Sequence, residues 1–133
     1  MNYFLDTNIC SYFLKGMYEE LLYKIKLCQT NQIKIPSIVK AELLYGANKG
    51  NNPVDTKLKI NKFLLPFEII SFGDNESIIY SEIRAHLEKK GKVIGPNDLI
   101  IAATVLANNG ILITNNEKEF KNIINIKIQN WTK

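Results

Sequence analysis

Met1-Asn2-Tyr3-Phe4-Leu5-Asp6-Thr7-Asn8 is an apolar run that opens the chain and stops at an acid. Tyr3, Phe4 and Leu5 are too few for a helix and rich in aromatic residues, so residues 2–5 read as a short buried strand. Asp6-Thr7-Asn8 reads as a helix start, because short polar side chains accept hydrogen bonds from the free N–H groups of a first turn. The order strand, acid, helix puts Asp6 where open α/β sheets bind their ligands, at the carboxyl end of a strand. Asp6 is either a helix cap alone or part of a site. The decision rests on which other acids reach the same edge.

Outward from that start, apolar strands and amphipathic helices alternate. A helix over 7–15 ends at Gly16, and Leu21, Leu22, Ile25 and Cys28 recur at helical spacing over 18–29. Residues 33–35 read as a second strand, with Pro36 placed to open a helix over 37–47 that carries Ile38, Ala41, Leu44 and Tyr45. A Gly/Asn/Pro loop over 48–53 leads to a helix over 54–65 with Leu58, Phe63 and Leu64 apolar, stopped by Pro66. A third strand over 67–72 precedes a long helix capped by Asp74 or Asn75, with Ile78, Ile79, Ile83 and Leu87 inward. Pro96 opens a nearly all-apolar helix to Asn108, which should lie deep. A fourth strand over 111–114, one or two helical turns over 116–121 and an edge strand over 124–128 complete the chain. The alternation predicts a three-layer α/β/α fold around a parallel sheet of four to five strands with right-handed crossovers.

At 133 residues, with 46% hydrophobic and 23% charged residues, the chain is expected to be one domain, 1–133, with a real core. No apolar run approaches a membrane span and residues 1–15 lack a signal-peptide pattern, so the expected location is the cytoplasm, with no membrane partner. Cys10 and Cys28 lie in apolar helical stretches without metal-site spacing and read as reduced core residues. His86, the one histidine, stands in a charged helix and reads as a solvated surface residue. A net charge of +4 and a pI near 9.0 suit a polyanionic partner without requiring one.

Four acids have a reason to meet. Asp6 ends the first strand. Glu42 shares a helix face with Ile38 and Tyr45/Gly46, and a carboxylate among apolar neighbours needs a partner. Asp98 opens the deep helix, two residues past Pro96, where an acid also complements the helix dipole. Thr114-Asn115-Asn116 ends the fourth strand, with Glu119 one turn on. Clustered carboxylates repel unless a cation sits among them. Oxygen-only ligands without His or Cys select a hard ion, Mg²⁺ or Mn²⁺, which can activate water and offset charge on a leaving oxygen. The residue-level reading is a metal-dependent phosphodiesterase on nucleic acid, with the Lys89-Lys90-Gly91-Lys92 turn available to phosphates.

Together these stretches resemble the PIN-domain nucleases, and within them the VapC toxins of bacterial toxin–antitoxin pairs. The resemblance covers nearly the whole chain. It is carried by Leu5-Asp6-Thr7-Asn8, Ala41-Glu42-Leu43-Leu44-Tyr45-Gly46-Ala47, and Ile83-Arg84-Ala85 leading to Gly95-Pro96-Asn97-Asp98-Leu99-Ile100-Ile101-Ala102-Ala103. Leu112-Ile113-Thr114-Asn115-Asn116, Glu119-Phe120 and Asn130-Trp131 complete it. It implies an endoribonuclease that inhibits translation by cutting RNA, such as transfer RNA or another structured RNA. It also implies a homodimer, a VapB-type antitoxin that blocks the site, and operator DNA bound through that antitoxin. By the resemblance, Asp6, Glu42 and Asp98 hold the metal and Glu119 completes the catalytic set. Thr7, Asn8, Thr114, Asn115 and Asn116 support them. Many PIN domains carry a fourth aspartate after the Thr of the fourth strand; here Asn116 stands there, and Glu119 is the candidate substitute.

Other classes fit less well. A haloacid-dehalogenase-type phosphotransferase needs a second Asp two residues after the first, where Asn8 stands. A receiver domain needs paired acids after strand one and an Asp after strand three, where Phe72-Gly73 follow. A component acting mainly as a DNA-bound autoregulator has no Arg-rich reading helix of its own.

Overall fold

Phe4 and Leu5 are completely shielded from solvent, and so are Leu112 and Ile113 beside them. Two short, fully apolar strands at the centre of a sheet explain why the opening tripeptide can be so brief. The computed structural model describes all 133 residues. The strands are β1 (Tyr3–Leu5), β2 (Ile33–Pro36), β3 (Glu68–Ile70), β4 (Ile111–Ile113) and β5 (Ile128–Gln129). The helices are α1 (Thr7–Leu14), α2 (Glu19–Leu27), α3 (Ser37–Lys49), α4 (Pro53–Leu64), α5 (Asp74–Lys89), α6 (Pro96–Ala107) and α7 (Glu117–Phe120).

All strands pair in parallel, in the order β3-β2-β1-β4-β5. The chain winds outward from β1 through β2 to β3, then crosses to the other side of β1 for β4 and β5. The winding direction therefore reverses between β1 and β4, the crevice where such sheets bind ligands. Leu5 pairs with Ile113, which sets Asp6 beside Thr114 at that crevice. Helices flank the sheet: α3 packs on α4 and α1, and α5 on α6. One core of 27 buried residues runs through the molecule. α6 is its deepest helix, burying Leu99, Ile101, Ala102, Ala103 and Val105. No helix is long and apolar enough to cross a membrane. Both cysteines are free, Cys10 in the core and Cys28 half-buried.

Several local expectations are corrected. In α3 the buried stripe is Val39, Leu43 and Ala47, with Ile38 and Leu44 half-buried and Ala41 and Tyr45 exposed. Two apolar stripes one residue apart run along that helix, and packing on α4 and the sheet selects one. α4 buries Ile60 and Leu64 and leaves Leu58 exposed, and α5 buries Ile83 and Leu87 and leaves Ile78 exposed. Pro36 ends β2 and caps α3 instead of opening it, while Pro53 opens α4. α5 is capped at Gly73, whose N–H donates to Glu76 at 2.9 Å, so Asp74 is its first residue. β3 is shorter than expected, and the edge strand falls at 128–129. His86 is half-buried, and its Nδ1 lies in the interior without a partner.

Candidate active site

Asp6 performs two tasks. Its Oδ1 accepts from the Ile9 N–H at 2.9 Å, capping α1, and its own N–H donates to Ile113 O at 3.2 Å, closing β1 onto β4. The residue is buried. Burial pushes its carboxyl up to about 6, against the Thr114 hydroxyl and the Ile9 N–H, which favour the charged form; the Glu42 charge pushes it further up. Burial is the main cause, and the smaller push from Glu42 marks a second carboxylate close by.

Glu42, in the second turn of α3, is half-buried. Its Oε1 accepts from the Thr7 hydroxyl and its Oε2 from Asn97 Nδ2 at 3.1 Å. Three helices thus fix one carboxylate: α1 and α6 each supply a donor and α3 the acid. Asp98 stands in the first turn of α6, next to Asn97. Its carboxyl is pushed up to about 7, chiefly by burial, then by the charge of Glu119 and a hydrogen bond to it, then by Asp6 and Glu42. Glu119, in α7, accepts from the Gly95 N–H at 3.2 Å and from the Asn116 amide.

The four expected acids are therefore brought to one edge, each within electrostatic reach of Asp98. None is neutralised by a side-chain cation: the four salt bridges are Lys34–Glu68, Lys59–Asp55, Arg84–Glu88 and Lys133–Glu117. As the side chains stand, no three of them converge closely enough to ligate one ion together. Glu42 is turned to Thr7 and Asn97, and Glu119 to Gly95 and Asp98, so a shared ion requires side-chain rotation about these bonds. The donor chemistry fits a hard divalent cation: four carboxylates without countercharge, no nitrogen or sulfur, and two acids that resist ionisation together.

The supporting residues divide. Thr7 and Thr114 touch the cluster directly. Asn116 holds Glu119, and its own N–H donates to Thr114 Oγ1 at 2.9 Å. Asn115 turns away, accepting from Asn130 Nδ2 at 3.0 Å. Asn8 is exposed and stands outside the network. Sequence reading missed Asn97 as a partner of Glu42. The available signal was its place beside Asp98 in the first turn of a buried helix. Beside Glu42, a groove of about 400 Å³ runs between α1, α3 and α4, lined by Thr7, Ser11, Lys15, Thr56 and Lys59 among others.

The sequence profile of the PIN domain matches residues 3–125. "Ribonuclease VapC2" of Rickettsia felis is 43% identical over the full length of both chains. "tRNA(fMet)-specific endonuclease VapC" of Salmonella typhimurium is 32% identical over 98% of both. Among solved structures, VapBC2 from Rickettsia felis bound to a promoter DNA fragment superposes with a TM-score of 0.93 at 42% identity, covering 98% of this chain and 99% of that one. DNA-bound VapBC from Salmonella typhimurium also gives a TM-score of 0.93, at 32% identity and 98% coverage of both chains. With the profile spanning most of the sequence and these relatives aligned end to end, the chain belongs to the PIN-domain family, among the VapC ribonucleases.

Proposed function

We propose that this chain is a divalent-metal-dependent endoribonuclease toxin of a type II toxin–antitoxin system. It acts as one domain over residues 1–133. The observation that carries this reading is the uncompensated set of Asp6, Glu42, Asp98 and Glu119 at the β1/β4 crevice. Four acids held together without a cationic side chain repel one another at a cost to the apo fold, and a cation among them relieves that cost.

Asp6, Glu42 and Asp98 are the residues that would hold the ion, Mg²⁺ or Mn²⁺, with Glu119 completing the set. A divalent cation bound there supplies Lewis-acid chemistry, making a water nucleophilic and offsetting charge on the leaving oxygen of a phosphodiester. The rest is the chain's own work. The Thr7 hydroxyl and the Asn97 amide fix both oxygens of Glu42. The Gly95 N–H and Asn116 fix Glu119. The Ile9 N–H holds Asp6, and the buried backing of Thr114 and Ile113 keeps bulk water from the inner side. The groove beside Glu42, with Lys15 and Lys59 on its walls, is the path for the RNA backbone. The substrate class is structured RNA with an exposed loop, transfer RNA first, in line with the Salmonella relative, a tRNA(fMet)-specific endonuclease. A VapB-type antitoxin is the partner that blocks the crevice, homodimers are the working form, and operator DNA is bound through the antitoxin, in keeping with the VapBC–DNA relatives.

The test is cleavage of purified cellular RNA by the isolated chain with Mg²⁺, with Mn²⁺ and with EDTA. Asp6→Asn and Asp98→Asn run alongside, with cut ends mapped after brief expression in cells. Each substitution is expected to lower the rate by at least about 100-fold. Cleavage that persists in EDTA, or a folded Asp98→Asn variant with full activity, sinks the reading.

A further inference from the structure

We infer that Asn130 is a positioning residue for the nuclease site, which it reaches through the loop after β4. Trp131 anchors this part of the chain: it is buried and meets Tyr3 of β1 edge-to-face at 5.0 Å, and its indole N–H donates to Gln129 at 3.0 Å. With that anchor fixed, Asn130 is held in one place and its amide acts as a bracket. Its Nδ2 donates to Asn115 Oδ1 and to Glu117 Oε2, each at 3.0 Å. Its Oδ1 accepts from the Thr132 N–H at 2.9 Å and from the Thr132 hydroxyl at 2.6 Å, and that hydroxyl also lies 3.2 Å from Asn115 Oδ1. Both polar ends of Asn130 are therefore used, and only an amide offers two donors and an acceptor in that plane.

The bracketed residues flank Asn116, and Asn116 and the Gly95 N–H together hold Glu119 against Asp98. A continuous run of contacts thus links the Trp131 anchor to an acid of the site. Asn115 is exposed yet is spent on this bracket, so its task is to hold the loop, not to touch substrate. Groups that orient metal ligands from behind commonly change affinity or rate by about 10–100-fold when removed. Asn130 lies further out, so about 10-fold is the expected size for its removal.

The inference rests on the nuclease reading, and its test separates the two. Asn130→Ala, Asn115→Ala and the conservative Asn130→Gln are compared with wild type by hydrogen exchange of the 114–120 amides without metal, by Mn²⁺ binding calorimetry, and by kcat and KM on an RNA oligonucleotide. Asn130→Ala and Asn115→Ala are expected to speed exchange in that segment while the β1 and β4 amides stay protected. Mn²⁺ binding should weaken and kcat should fall, each by roughly 10-fold, with KM within about twofold. Asn130→Gln, which keeps the amide, should recover part of the loss. Wild-type exchange, Mn²⁺ affinity and kcat in Asn130→Ala overturn the inference. A wild-type chain that neither binds Mn²⁺ nor cuts RNA overturns the nuclease reading instead, while the exchange comparison still decides whether the bracket holds the loop.

Discussion

Asp98 is the residue at which the site's electrostatics can be measured without substrate. In the fold its carboxyl is pushed up to about 7 and that of Asp6 to about 6, against about 3.9 for an unfolded aspartate. A raised carboxyl pKa means the folded chain binds more protons than the unfolded one between about pH 4 and pH 7. This contribution favours the fold at the acid end of that window and is lost as pH rises through it. Metal-free Asp98→Asn removes the larger of the two titrations. Its melting temperature is expected to exceed wild type by about 3 °C or more at pH 7.5, by much less near pH 4.5, and to match it below the unfolded pKa of about 3.9. Saturating Mg²⁺ or Mn²⁺ should raise the wild type and shrink the gap, because an ion that binds only the native state stabilises it by mass action. Thermal melts at both pH values with EDTA and with metal check this; a gap independent of pH contradicts the account. The placement of Asp6 and Asp98 at one sheet edge was legible because each stands at a junction the local sequence announces, a strand end and the mouth of an apolar helix. The hydrogen-bond partners of Asn97 and Asn130 were not, because they lie 55 and 15 residues away and no local pattern encodes such a pairing.

The alternation of strands and helices, the parallel sheet and the depth of α6 could be read from periodicity alone, since each element's period is local. Which stripe of α3, α4 or α5 is buried could not, because those helices offer two overlapping apolar faces and the choice belongs to the neighbour. The sharpest constraint between elements falls on Gly110, just before β4. A Cβ there would stand 2.3 Å from Cε1 and 2.4 Å from Cδ1 of Phe4. Phe4 is completely buried in β1 and cannot swing aside. Gly110→Ala therefore forces β1 and β4 apart at the sheet's centre and should cost about 1–3 kcal/mol. Gly46 is the control: it lies within α3, exposed, with nothing within 4 Å of a Cβ. Gly46→Ala should stabilise by about 0.5–1 kcal/mol through the backbone entropy of the unfolded chain. Urea titration of both variants measures the pair, and equal effects would mean that the β1–β4 contact is not tight.

Across the whole molecule the charge is arranged as an acidic crevice on a basic body. The net charge is +4, yet the crevice gathers four acids with no cationic partner. On the metal-dependent nuclease reading, a polyanion drawn to the body is repelled at the crevice until a cation occupies it, so RNA docking should depend on metal loading. Two basic features compete for the RNA backbone. Lys15 and Lys59 line the groove beside Glu42, whereas exposed Lys89 ends α5 and Lys90 and Lys92 lie in the turn that leads toward α6. The groove adjoins the acid cluster at Glu42, and its Thr and Ser hydroxyls would add uncharged donors for phosphate oxygens. Each lysine that neutralises a phosphate of a single strand contributes about 0.7 to the slope of log binding constant against log salt. The double variant Lys15→Gln/Lys59→Gln, assayed on an Asp98→Asn background so that RNA survives, should therefore flatten that slope by about 1.4. Lys89→Gln/Lys90→Gln/Lys92→Gln on the same background should leave it nearly unchanged. Fluorescence anisotropy of a labelled RNA hairpin over a series of salt concentrations gives both slopes. A flattening confined to the turn variant would move the RNA path from the α1/α3/α4 groove to the α5–α6 side, leaving the carboxylate site where it is.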